Sequence, residues 1–82
     1  MFINRAEDGK NNVCGTALTK YRKKRRMSQR QLAELFQLKG LDVDKNAIQR
    51  IESGQRFVTD IELTVFSRVL QLSYTELLNG DF

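Results

Sequence analysis

The sequence predicts an all-α domain built as a compact bundle of five short helices. Three observations carry that expectation. Ser28 with Gln31, Thr59 with Glu62 and Ser73 with Glu76 are three capping boxes, each placed just ahead of an apolar stripe. The apolar residues recur at helical spacing, as in Leu32, Leu35 and Phe36. No run of alternating β-branched residues bounded by turn chemistry competes.

The elements follow in order. Residues 1–14 read as a flexible polar tail: they hold Gly9 and Asn11-Asn12 and show no apolar period. The domain then occupies residues 15–82. A first helix is expected from Thr16 to Arg26, with Leu18 and Tyr21 inward. Ser28 opens a second from Gln29 to Leu38, with Leu32, Leu35 and Phe36 on its core face and Ala33 beside them. A joint follows in which Gly40 stands where a helix ends left-handed, and Leu41 and Val43 tuck under the core. Asp44 caps a third helix, Lys45 to Ser53, which Gly54 ends. Ile48 and Ile51 point inward there, and Lys45, Asn46, Gln49 and Arg50 share the outer side. Thr59 opens a fourth helix from Asp60 to Leu70. Leu63, Phe66, Ser67 and Leu70 form one stripe and Ile61, Val65 and Val69 another, so this helix is either central or carries a subunit contact. A last helix, Tyr74 to Leu78, buries Leu77 and Leu78, with Asn79-Gly80 as its stop.

Composition narrows the function. The chain has 82 residues, with 40% apolar and 29% charged side chains, which suits one small globular domain. There is no His and a single Cys, so the commonest general base and any multi-cysteine metal site are missing. No Gly-rich phosphate loop is present. The expectation is therefore no enzyme, no metal and no cofactor. A disulfide-stapled secreted protein is excluded. No stretch resembles a membrane span or a signal peptide, which favours a cytoplasmic location. Cys14 reads as a minor packing residue at the domain edge; a redox role would require a low thiol pKa.

The net charge of +4 is unevenly divided. Residues 1–31 carry nine basic and two acidic groups, whereas residues 32–82 carry five basic and eight acidic ones. Six of the seven residues from Lys20 to Arg26 are basic. Such a half suits a polyanion, although any one of these side chains also suits a solvated helix face. Helices two and three, joined by a Gly-containing turn, have the form of a helix-turn-helix. The second helix of such a pair enters a major groove only if its outer side hydrogen-bonds base edges. Lys45, Asn46, Gln49 and Arg50 meet that demand.

The stretch MSQRQLA (Met27–Ala33), then AIQRIESG (Ala47–Gly54), and finally SYTELL (Ser73–Leu78) resembles the XRE type, the phage Cro/repressor-like helix-turn-helix family. The resemblance covers about residues 15–80 and implies a lambda-repressor-like bundle. It implies sequence-specific binding of double-stranded DNA by a small transcriptional regulator, acting as a homodimer on a pseudo-palindromic operator. It assigns base contacts to Lys45, Asn46, Ala47, Gln49 and Arg50. It assigns phosphate contacts to Lys23, Gln29, Arg30, Ser53, Gln55 and Arg56, and a structural ion pair to Arg22 and Glu52. One departure stands out: Ala33 and Ile48 are 15 positions apart, several more than in the family's compact form. A longer second helix, a longer turn or both would absorb the excess, and the pose of the third helix depends on which. A different class of function, an antitoxin-like or adaptor module that uses the same fold to hold a protein, would draw on the doubly apolar fourth helix and on Phe57, Val58, Tyr74 and Phe82.

Overall fold

The computed structural model describes residues 5–82. Five helices follow one another: α1 (Gly15–Lys24), α2 (Gln29–Leu38), α3 (Lys45–Glu52), α4 (Asp60–Leu70) and α5 (Tyr74–Asn79). No strand occurs among the described residues. The radius of gyration is 12.0 Å, close to the ~12 Å of a folded chain this long.

All three capping boxes form with both arms in place. Ser28, Thr59 and Ser73 each accept from the N–H of the residue three positions on, and the Gln31, Glu62 and Glu76 side chains each accept from the cap residue's own N–H. Leu18, Leu32, Phe36, Ile48, Ile51, Phe66 and Leu77 are fully buried and form the core. The Phe36 and Phe66 rings meet at 4.8 Å between centroids and join α2 to α4, an aromatic pairing that contributes about 0.5–1.5 kcal/mol beyond area burial. α3 packs against both α1 and α2, and α5 closes against α1 and α4.

α2 stops at Leu38 as expected, and residues 39–44 form the turn to α3. Gly40 takes a positive φ of 88°. Leu41 N–H then returns to Phe36 O, and the Gln37 side chain donates to Val43 O at 2.8 Å. Val43 is buried and Leu41 half-buried, so the turn is itself seated in the core.

Three expectations about these helices need correction. α1 ends at Lys24, not Arg26, because Arg26 adopts φ 54° to turn the chain into α2. The residue there is not Gly, so the turn carries no marker in the sequence. α3 ends at Glu52, and Ser53 caps it with its hydroxyl on Arg50 O. Leu78 is 44% exposed, so it does not belong to the core. α4 is central through Phe66 and Leu70, while of its second stripe Ile61 is 73% exposed and Val65 and Val69 are half-buried, Val69 against the core.

The polar segment over 1–14 also differs from a flexible tail where it is described. Asn11, Asn12 and Cys14 are tied to the body of the domain, and Cys14 is 2% exposed. Burial pushes the Cys14 thiol up to about 11, so it remains protonated at neutral pH and acts as a core residue. The remainder of that expectation, residues 1–4, lies outside the described residues.

Candidate nucleic-acid interface

α3 is short, and its inner side is set by Ile48 and Ile51, both without exposed surface. That anchoring turns Lys45, Asn46, Gln49 and Arg50 outward, and all four are exposed. Asn46, Gln49 and Arg50 meet Ser53 and Gln55 around a shallow polar cleft of about 370 Å³. Lys45 stands at the start of the helix, outside that cleft. Ala47 is half-buried and packs partly on the core. Its small side chain lets the backbone come close to whatever α3 faces.

Asp44 Oδ1 accepts from Ala47 N–H at 2.7 Å and caps the front of α3. At the other end, Glu52 is gripped by three donors. Arg22 Nε donates to Oε2 at 2.9 Å, Arg22 Nη2 donates to Oε1 at 3.0 Å, and Gln29 Nε2 donates to Oε1 at 3.1 Å. The Arg22 Nη1 group donates to Met27 O at 3.1 Å. One carboxylate thus joins α1, the α1–α2 turn, the first residue of α2 and the last residue of α3. The pair is largely enclosed, with side-chain exposures of 17% for Arg22 and 7% for Glu52. Hydrogen bonding to Glu52 raises the Arg22 guanidinium above its ordinary value.

This geometry separates the residues expected at phosphates. The Gln29 side chain is occupied by Glu52. The backbone N–H groups of Gln29 and Arg30 are first-turn donors that neither arm of the Ser28 capping box uses, and they open the N-terminus of α2. Arg30 and Lys23 are exposed, as are Ser53 and Gln55. Arg56 is different. Its Nη1 and Nη2 donate to the two Glu62 oxygens at 3.1 and 2.8 Å, and Nη1 also reaches Phe57 O. Glu62, held by Arg56 and by Thr59, sits below the usual carboxylate range.

The basic run around α1 is likewise divided. Lys20 donates to Gly80 O and lies over the Phe82 ring, and Lys24 lies over the same ring. Arg25 covers Tyr21. Among the described residues Lys23 and Arg26 have no such engagement, and both are exposed.

Sequence reasoning missed the hold that Asn11 and Asn12 have on the end of α3. It also missed Gly15, where a Cβ would collide with the Ile51 carbonyl oxygen. Both signals were present, as an Asn pair and a Gly at a helix start. Their partners lie some forty residues away. The Arg56–Glu62 pair was missed for a related reason: Glu62 was accounted for as a capping residue, and it serves both roles.

An apolar cavity of about 450 Å³, lined in part by Val13, Cys14, Val58 and Leu63, includes no residue of α3. Among the described residues, no group of three or more acidic or Cys side chains is placed to hold a metal ion, and no helix is long and apolar enough to cross a membrane.

Comparison with known families matches the helix-turn-helix model over residues 18–77, from the first turn of α1 to α5. No curated protein and no solved structure matches the chain. The matched span covers both helices of the motif, the enclosed Arg22–Glu52 pair and the outward polar row of α3, and the chain belongs to the XRE-type helix-turn-helix family of DNA-binding proteins.

Proposed function

We propose that this protein is a sequence-specific transcriptional regulator that binds double-stranded DNA with α3 in the major groove. The observation that carries the reading is the outward row Asn46, Gln49 and Arg50 on a helix whose inner side and far end are both immobilised. A major groove admits one α-helix, and base edges there are read by paired donors and acceptors. Arg50 suits guanine and Asn46 and Gln49 suit adenine, each such pair contributing about 1–3 kcal/mol of discrimination. Ala47 allows close approach or contact with a thymine methyl, and Lys45 extends the row at the helix start.

Phosphates on either side would be met by the N-terminus of α2, by Arg30 and Lys23, and by Ser53 and Gln55 after α3. Arg56 is the exception in this set. With two donor groups on Glu62, it offers a phosphate only what remains, and its first role is to hold the loop that Ser53 and Gln55 occupy. The protein acts as a homodimer whose two copies reach successive major grooves about 34 Å apart, so the operator is a pseudo-palindrome.

Selection of the purified chain against a random duplex library at near-physiological salt tests this. The expected result is an enriched pseudo-palindrome with half-sites one turn apart. Arg50→Ala should relax preference at one position of each half-site, and Lys23→Ala should weaken all duplexes alike and lower the salt slope by about one. An absence of enrichment, with binding that disappears as salt rises, would overturn the reading.

A further inference from the structure

The carbonyl groups that leave the C-terminal end of α3 are received by two adjacent side chains from far up the chain. Asn12 Nδ2 donates to Ile51 O at 3.0 Å and to Arg56 O at 2.8 Å. Its Oδ1 accepts from Gly15 N–H at 2.8 Å, which caps α1 in place of Cys14. Asn11 donates through its backbone N–H to Gly54 O at 2.8 Å and through Nδ2 to Gln55 O at 2.9 Å. The stem of Lys10 lies against Gly54, where a Cβ would not fit. A single amide thus bridges the start of α1 and the end of α3. The segment lies before residues 18–77, which the family model matches.

We propose that Asn11 and Asn12 are positioning residues for sequence readout. They fix the axial placement of the half of α3 that carries Gln49 and Arg50, and of the loop that carries Ser53 and Gln55. The proposal rests on the DNA-reading assignment of α3. Paired hydrogen bonds to a base tolerate misplacement of about 0.5 Å and 10–20°. Ile48 and Ile51 set which side of α3 faces inward, while its far end is held by the Glu52 hub and by the Asn11–Asn12 clasp, so loss of the clasp leaves that end on the hub alone. Phosphate attraction is long-ranged and survives such a shift. Loss of the clasp therefore reduces the ratio of specific to non-specific affinity more than it reduces affinity for arbitrary DNA.

The test is Asn12→Asp, with Val13→Asp as a charge-matched control at an exposed neighbouring position. Aspartate keeps the acceptor for Gly15 N–H and replaces the donor with an oxygen facing two carbonyls. Binding is titrated on the duplex enriched by the wild-type chain and on a scrambled duplex, at a temperature where circular dichroism shows each variant folded. The expected result is a fall of about tenfold in the specific-to-scrambled ratio for Asn12→Asp, comparable to the loss of one good base contact. Val13→Asp should keep the ratio within about twofold while weakening both duplexes slightly through its charge. A purely structural role would lower the melting temperature and leave the ratio unchanged, and that result overturns the proposal. If Asn12→Asp does not fold, Asn11→Ala removes one side-chain bond, and its ratio should fall about threefold, less than a full base contact. An unchanged ratio there also overturns the proposal. If the wild-type chain enriches no duplex, the DNA-reading assignment fails before any variant is made, and the positioning role falls with it.

Discussion

The two ends of α3 are held in different ways. The front end is secured by its own neighbourhood: Asp44 caps Ala47, Gly40 turns the chain, and Gln37 reaches Val43. Each of those two hydrogen bonds spans six positions or fewer. The far end is secured from a distance. Gln29 reaches Glu52 across 23 positions, Arg22 across 30, and Asn12 reaches Ile51 and Arg56 across 39 and 44. The front end therefore forms whenever the local chain is helical, whereas the far end forms only when α1, α2 and the N-terminal segment are already in place. The half of α3 that carries Gln49 and Arg50 is the half that depends on the whole fold.

The largest expected effect is at the far end. Glu52→Ala leaves Arg22 and the Gln29 amide facing an enclosed space without their acceptor. Breaking an enclosed pair from one side costs about 3–5 kcal/mol when fully buried, and the partial exposure of Arg22 places the expected loss near the lower end. Urea unfolding measures it. A change below about 0.5 kcal/mol, typical of an ordinary surface position, would mean that the hub does not hold this end. Gly15→Ala tests the same end through packing. In a solvent-facing first turn the change would stabilise by about 1 kcal/mol, because Ala is the better helix former. Here the added methyl meets the Ile51 carbonyl oxygen, and a loss of about 1–3 kcal/mol is expected. The sign alone decides whether α1 and α3 are in contact there.

The front end should give less. Asp44→Ala removes one N-cap bond, with an expected loss of about 1 kcal/mol. If thermal unfolding showed a larger loss than Glu52→Ala, the contrast between the ends would be reversed.

The same contrast explains what could be read from the sequence. The starts of α2, α4 and α5 are written in the residue at the cap and the one three positions later, and that of α3 in Asp44 itself, so they could be read directly. The outer row of α3 could be read because Ile48 and Ile51 fix which side is inward. The Arg22–Glu52 pair came from resemblance to a family, since no local rule links residues 30 positions apart. Three features could not be read at all. The start of α1 is capped by Asn12, three residues before the helix begins, while Cys14 occupies the cap position. The end of α1 turns on Arg26 in a conformation usually given to Gly. Leu78 follows Leu77 in an apolar pair of which only the first is enclosed, since a helix this short buries one side.

The smallest expected effect concerns Arg56 and Glu62, the outlying support of the far end. The Arg56 guanidinium holds the folded-state Glu62 carboxyl below its ordinary value of 4.5. A depressed carboxyl contributes stability that is fully present above the unfolded value, and that is lost as pH falls through the folded one. The contribution is thus intact at neutral pH and is lost progressively as pH falls below about 4.5. Glu62→Gln separates this pair from the capping box, because a Gln side chain can still accept from the Thr59 N–H, as Gln31 does at Ser28. Arg56 is about one-third exposed, so solvent screens the pair and the loss at pH 7 should stay below about 1 kcal/mol. Urea midpoints of the two proteins, compared at pH 7 and pH 3, should converge in acid. A difference that stays constant between those pH values would mean that the pair contributes nothing through charge, and that Arg56 is free for the phosphate role that the family resemblance implies.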